Sequence, residues 1–291
     1  MTEHLRSQQR RVLVAMNNIA FADSGTAYHP ETGERIVWGT VSEHKLVSKA
    51  QAEAYKEREE FKGRQSDFTF TAMDAINEVT AVLTTAQCGY LVLLQCFVNY
   101  GDGTLVDSED IPMSTKDMQT VLQLTRKRQT FYDFLNACLE HDIIRKKDDN
   151  SYSVNPRYHF RGATDNKAVI RSYTAMVKRV YREVRAVDLG LIYRMLPYVH
   201  YKTNALCANP SEPDVKSIRW FNGKELAAVL GINSMELSRR LPRMRFGDEY
   251  VVARLKVGGI AYYIFNPNVF YRKTSKPDDT LVAMFNVNYE K

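Results

Sequence analysis

The sequence predicts a mainly α fold with small β wings, an α+β arrangement of two tandem winged helix-turn-helix modules joined by a helix. Three observations predict it. One phrase occurs twice, as Tyr152-Ser153-Val154-Asn155-Pro156-Arg157-Tyr158-His159-Phe160-Arg161 and as Tyr263-Ile264-Phe265-Asn266-Pro267-Asn268-Val269-Phe270-Tyr271-Arg272. Each copy begins as a short alternating strand and stops at Asn-Pro, because proline has no N–H to continue a ladder and biases the residue before it away from helix. The same order of elements leads up to both copies: two short helical patterns, a strand and a tight turn, Asp148-Asp149-Asn150 in the first and Gly258-Gly259 in the second. Capping residues then mark the helices, Ser114 before one and Asn222 and Gly231 at the two ends of another. A repeat of this kind is read before any single motif, since it sets the architecture. The expected divisions are an N-terminal arm and charged connection at 1–66, a first module at 67–162, a basic connecting helix at 163–187, a second module at 188–273 and a tail at 274–291.

Bulk properties fit this division. A chain of 291 residues with 44% hydrophobic and 25% charged residues has the composition of a globular protein and room for two ordinary domains. No apolar run approaches the ~20 residues of a membrane span. The start, Met1-Thr2-Glu3-His4-Leu5-Arg6, lacks the pattern of a signal peptide, so a cytoplasmic location without membrane contact is expected. The cysteines Cys88, Cys96, Cys138 and Cys207 are irregularly spaced. Cys138 and His141 form half of a zinc pattern that no second pair completes, so Cys88, Cys96 and Cys138 are expected as reduced thiols in the helical core. A formal charge of +6 favours an anionic partner.

Taken in order, residues 5–20 can form a helix carrying Arg6, Arg10 and Arg11. Ala27 to Arg35 reads as a turn before a strand Ile36 to Trp38, and 43–66 as an exposed helix or connection dense in Lys, Glu, Gln and Ala. Met73, Ile76, Val79 and Val82 have helical spacing. Thr84 and Gln87 form a capping box that opens a core helix over Ala86 to Asn99. The loop Tyr100 to Pro112 holds Asp102, Asp107, Glu109 and Asp110 but lacks the ligand pattern of an EF-hand, and reads as a solvated acidic loop. Ser114 caps a helix reaching Leu122 and Thr125 caps the next, Arg126 to Leu139, after which Ile143 to Lys147 begins a wing.

Residues 165–185 read as one helix. Val169, Tyr173, Met176, Val180 and Val184 form its apolar stripe, and Lys167, Arg171, Lys178, Arg182 and Arg185 a basic stripe opposite. Leu189, Leu191, Ile192, Met195, Leu196 and Val199 then supply a core helix. An insertion at Asn204 to Pro213 precedes a strand Ser217 to Phe221. Asn222 caps the helix Gly223 to Leu230, and Asn233 or Ser234 caps Met235 to Leu241, where Arg240 replaces an expected apolar residue and Pro242 is expected to distort the end. The tail run Leu281 to Val287 fits an added strand or a subunit contact equally.

These elements suit duplex DNA, whose major groove admits one α-helix and displays a distinct pattern for each base pair. Arg126, Lys127, Arg128 and Gln129 begin the first recognition helix, where base contacts concentrate. Lys146 and Lys147 on the wing, Arg157 and Arg161 after it, and Lys178 and Arg182 on the connecting helix suit phosphates. In the second module the corresponding surface is Ser234, Glu236, Ser238, Arg239, Arg240 and Arg243, with Arg254 and Lys256 on the wing. No phosphate-cradling Gly-rich loop with Lys, His-Glu-x-x-His or Gly-x-Ser-x-Gly occurs, so neither an enzymatic site nor a cofactor is expected. A homodimer and a host replication or transcription protein stand as further candidate partners. RNA ranks behind DNA, because Tyr158, Phe160, Phe270 and Tyr271 are expected to pack between wing and core rather than stack on bases. A winged-helix interaction protein that binds a host protein without reading DNA is the alternative.

The stretch from the first recognition helix through the wing to Tyr152-Ser153-Val154-Asn155-Pro156-Arg157-Tyr158-His159-Phe160-Arg161-Gly162 resembles the RepL-type replication initiators of Gram-positive plasmids and their phage-borne relatives. Glu31-Thr32-Gly33-Glu34 and Phe68-Thr69-Phe70 are similar to that family's amino-terminal half. The resemblance covers roughly residues 28–162 and implies a winged-helix protein that binds DNA on a mobile element. The expected role is recruitment, as a replication initiator or a transcription regulator with no chemistry of its own. The second module and the insertion at 204–213 depart from that single-module pattern.

Overall fold

Phe68-Thr69-Phe70-Thr71-Ala72 alternates large apolar and small polar side chains, the pattern of a strand whose two faces meet different surroundings. It is a strand, and it is one of the two inner strands of a four-stranded sheet. The computed structural model describes residues 67–257, 260–275 and 277–285, with backbone strands β1 (Ala20–Phe21), β2 (Ala27–Tyr28) and β3 (Arg35–Ile36) ahead of them. The chain divides into two compact units, Met1–Glu59 and Glu60–Lys291. In the first, β1, β2 and β3 form an antiparallel sheet in that order: Ala27 and Tyr28, expected in a turn, are in a strand, the strand expected from Ile36 includes Arg35, and 29–34 lie outside the described residues. The helix expected over 5–20, apart from Ala20 in β1, and the charged stretch 43–66 lie outside the described residues.

The second unit is mixed α+β, with nine α-helices and small antiparallel sheets among the described residues. Its first half runs β4 (Phe68–Ala72), α1 (Ile76–Val82), α2 (Thr85–Leu94), α3 (Thr115–Val121), α4 (Arg128–Glu140), β5 (Ile144–Lys146), β6 (Tyr152–Val154) and β7 (His159–Phe160). Its second half repeats the order: β8 (Val169–Tyr173), α5 (Thr174–Glu183), α6 (Ala186–Met195), α7 (Gly223–Leu230), α8 (Ser234–Arg240), the short pair β9 (Arg245–Phe246) and β10 (Glu249–Tyr250), then β11 (Val252–Val257), β12 (Ile260–Phe265) and β13 (Phe270–Tyr271). The helix α9 (Asp279–Ala283) follows, so Leu281 to Ala283 are helical and not the added strand that was one of two expectations there, and Phe285 behind it is buried beside Ala205 and Ile264.

One sheet ties the halves together, in the order β13-β8-β4-β7. Phe70 pairs with Arg171 in the middle, Phe70 also with Phe160 on one side, and Arg171 with Tyr271 on the other. Exchanging β4 with β8 and β7 with β13 leaves this register unchanged, so the sheet has an internal twofold centred on Phe70 and Arg171. The single helix expected over 165–185 is therefore corrected: its first part is the buried strand β8, and only Thr174–Glu183 is helical.

Across the inner face of the sheet lie α2 and α6. Thr71 Oγ1 donates to Gln95 Oε1 at 2.9 Å and lies 3.2 Å from His159 Nδ1, while His159 Nε2 lies 3.2 Å from Tyr193 Oη. The two helices cross at Gly89 and Gly190, which hold the same place in each. A Cβ on Gly89 would stand 1.9 Å from the Ala186 carbonyl oxygen, and one on Gly190 1.6 Å from that of Thr85, so only glycine lets the backbones meet. Cys88, Cys96, Cys138 and Cys207 are all buried free thiols, and burial pushes the first two up to about 12 and Cys207 to about 11.

Both Asn-Pro phrases build one device. Asn155 Oδ1 accepts the N–H of Arg157 at 3.0 Å while its Nδ2 donates to the Asp142 carbonyl at 2.8 Å; Asn266 Oδ1 accepts the N–H of Asn268 at 3.0 Å while its Nδ2 donates to the Tyr250 carbonyl at 3.1 Å. Each asparagine thus closes an Asx-turn and clamps the start of the hairpin it ends. Tyr158, Phe270 and Tyr271 are buried and Phe160 is half-buried, as their packing role requires.

Candidate nucleic-acid interface

Capping positions the exposed helices. Ser114 accepts from the Asp117 N–H, and Asn222 from the N–H groups of Lys224 and Glu225, while the acid three residues on returns a bond to each cap's own N–H. The chain then turns through a left-handed residue, Gln123 (φ 57) in the first half and Gly231 (φ 65) in the second. In both halves the residue after it donates back to the preceding helix, Leu124 N–H to the Gln119 carbonyl at 2.8 Å and Ile232 N–H to the Ala227 carbonyl at 3.0 Å. This matched geometry sets α4 and α8 at corresponding places.

The helix α4 starts later than expected. Thr125 and Arg126 lie in the preceding turn, and Lys127 stands at the N-cap without a side-chain cap bond. Phe131, Phe134, Leu135 and Cys138 face the core, so Arg126, Lys127, Arg128 and Gln129 are all exposed. Gln129 Nε2 donates to Asp133 Oδ1 at 2.7 Å, and no acid among the described residues pairs with Arg126, Lys127 or Arg128. This is a concentrated positive helix start.

The other predicted residues divide into those that remain open and those committed to the fold. Lys146 on β5 is exposed, and so are Arg182 in the last turn of α5, Ser234 and Arg239 on α8, Arg243 after it, and Arg254 and Lys256 on β11. Lys147 instead pairs with Asp102 and donates to Thr104 Oγ1 at 2.6 Å, which holds the Asp102 carboxyl well below the usual range. Arg157 pairs with Glu78 at the surface and stays exposed. Arg161 is 12% exposed, faces Asp67 and lies over the Tyr100 ring at 5.2 Å. Arg272, its counterpart at the end of the second phrase, lies over Tyr201 at 5.6 Å. The closing arginine of each phrase is therefore a packing residue rather than a phosphate ligand. Lys178 sits half-buried 4.0 Å from the centre of the Phe97 ring, where burial lowers its pKa, and Arg171 of the expected basic stripe is buried in the sheet.

Arg240 is the clearest correction. It occupies, in α8, the place that Phe134 holds in α4, and it is buried. Its Nε donates to Asp188 Oδ1 at 2.7 Å, its Nη1 to Glu236 Oε1 at 3.0 Å and its Nη2 to the Val187 carbonyl at 2.8 Å. It joins α8 to α6 and has no surface for a ligand. Asn233, not Ser234, caps α8, its Oδ1 accepting from the Met235 N–H at 2.7 Å, and the helix passes after Arg240 into a 3-10 turn over Leu241–Arg243, as Pro242 predicts.

Two basic residues were not singled out from the sequence. Lys116 and Lys224 each stand two positions after a cap, both exposed. Their signal was a second repeated phrase, Ser114-Thr115-Lys116-Asp117 against Asn222-Gly223-Lys224-Glu225. In the second half Lys224 and Arg254 line an open groove of about 580 Å³ with Ser234, Met235, Ser238 and Tyr263. In the first half the corresponding basic positions are Lys116 and Lys146. A groove between a helix start, an exposed helix and a hairpin, with a cation on either wall, suits a phosphodiester strand.

No group of three or more His, Cys, Asp or Glu side chains fit to hold a metal occurs among the described residues, and no helix there is long and apolar enough to cross a membrane. No protein-family model matches the chain, no curated protein matches it, and no solved structure matches it.

Proposed function

We propose that the chain is a double-stranded DNA-binding protein that reads sequence through two winged-helix modules. The observation that carries this reading is the start of α4: Arg126, Lys127 and Arg128 lie together, exposed and without acidic partners among the described residues, at the end of a helix that a short turn presents outward. Two helices joined by a short turn and followed by a two-stranded hairpin, present in each half, are the parts such a module needs. The resemblance of residues 28–162 to RepL-type initiators supports a role on a plasmid or phage, as replication initiator or transcription regulator.

The test is selection from random duplexes at near-physiological salt, followed by the salt dependence of the retained site. Neutralising several phosphates gives a log-log slope of ~ -0.9 per phosphate. Arg126→Ala with Arg128→Ala should cost about 1 to 3 kcal/mol for each base pair that is no longer read, and should flatten the sequence preference. Arg182→Ala should weaken all duplexes alike. Equal weakening on every sequence from the first pair would refute the recognition-helix assignment.

A further inference from the structure

Met235 is 79% exposed, the most exposed large apolar side chain among the described residues. A surface methionine needs no explanation by itself, but this one is held in a particular place. It is the second residue of α8, its N–H fixed by the Asn233 cap, and it borders the groove that Lys224 and Arg254 flank. In α4 the same place belongs to Gln129.

The rest of α8 narrows what the helix can offer a ligand. Glu236 is bonded to Arg240, Leu237 is in the core, and Arg240 is tied to Asp188. Ser234, Met235, Ser238 and Arg239 remain outward. Two of these are serines, short enough to let the helix approach a surface closely, and Met235 alone is apolar. On the major-groove edges of unmodified base pairs the one projecting apolar group is the 5-methyl of thymine, and apolar side chains recognise it. The flexible thioether of methionine fits such a group without a fixed rotamer.

We propose that Met235 is a specificity-determining residue of the second module that packs on a thymine methyl group. The inference rests on the DNA-binding reading above. It gives the two halves different tasks: α4 reads donors and acceptors through arginine and Gln129, and α8 reads an apolar edge.

The experiment uses the full chain and its selected duplex, with each thymine replaced in turn by deoxyuridine, which deletes only the methyl. Wild-type protein should bind about 3- to 10-fold more weakly at one or more positions within the part of the site covered by the second module. Met235→Ala, which suits an exposed helix position, should bind thymine and uracil equally there, and Met235→Leu should keep the preference. If the duplex is bound but no replacement matters, or if Met235→Ala still prefers thymine, the methyl reading is overturned while the DNA reading stands. If no duplex is retained at all, the DNA reading falls and the methyl reading falls with it.

Discussion

His159 and Arg240 show how single side chains bear on stability. His159 is fully buried between Thr71 and Tyr193, and burial holds its pKa down to about 3. In the unfolded chain it protonates below about 6.5, so there the unfolded state binds the extra proton. Its burial therefore leaves stability unchanged above about 6.5 and destabilises the fold increasingly as the pH falls, by about 1.4 kcal/mol per pH unit, until about 3. Denaturant unfolding at pH 7 and pH 5 should differ by about 2 kcal/mol from this residue, and His159→Gln should remove that difference. The depressed carboxyls of Asp117 and Asp142 titrate at lower pH, while His200, whose pKa burial also lowers, acts in the same direction over this window, so the His159 share is the part that His159→Gln removes. Arg240 makes the opposite kind of demand. Asp188 is 3% exposed and is its buried partner, with Glu236 at the more open end, so Asp188→Ala leaves the buried side of the guanidinium unpaired and should cost about 3 kcal/mol in urea unfolding. Replacing Asp188 and Arg240 together by apolar residues should cost much less, because the charges then left, Arg185 and Glu236, are open to water. A destabilisation of the double variant as large as that of Asp188→Ala would contradict this account.

At the scale of elements, the repeat lets one half correct the other. Gln123 and Gly231 hold the same left-handed turn, but only glycine adopts it without strain. Gln123→Gly should therefore stabilise the protein by about 0.5 to 1 kcal/mol, read as a shifted urea midpoint at unchanged slope. Gly89→Ala and Gly190→Ala should do the reverse. Alanine gains about 1 kcal/mol of helix propensity, yet its Cβ would overlap a backbone carbonyl that cannot move aside, so a net destabilisation of at least about 2 kcal/mol is expected. The same repeat explains what the sequence disclosed. The Asn-Pro phrases, the caps Thr84, Ser114 and Asn222, and the Gly231 stop were legible because each acts through local backbone chemistry. The strand β8 was not. Val169, Tyr173, Met176 and Val180 fit a helical stripe, and a strand buried on both faces shows no clean alternation to set against it. The candidate surface was legible only as charge for a similar reason: composition reveals a basic side chain, but only the fold reveals that Lys147 meets Asp102, that Arg161 lies on Tyr100 and that Arg240 is buried.

For the unit as a whole, the decisive feature is that neither half owns a complete sheet. β4 pairs with β7 from its own half and β8 from the other, and α2 and α6 meet through glycines with no side chain between them. A half expressed alone would expose the unpaired N–H and C=O groups of a central strand together with the apolar face of its core helix. The two halves should accordingly unfold in one transition, and residues 67–162 alone should lack a cooperative transition. Cleavage gives the sharper test. The exposed stretch around Asp165 and Asn166 joins the halves between β7 and β8, and a protease site placed there should be cut without separating them. The nicked protein should migrate as one species at its original mass and keep its affinity for any selected duplex, while two fragments that part on gel filtration would show that the sheet and the glycine crossing are too weak to join them. The internal twofold adds a consequence for recognition. Because α4 and α8 occupy corresponding places in a single chain, one protein molecule should occupy a site with two halves, and because Arg128 and Gln129 face Ser234 and Met235 across that symmetry, the halves should differ in sequence. Mass measurement of the complex should give one chain per duplex; two chains on a perfect palindrome would assign the symmetry to a dimer instead.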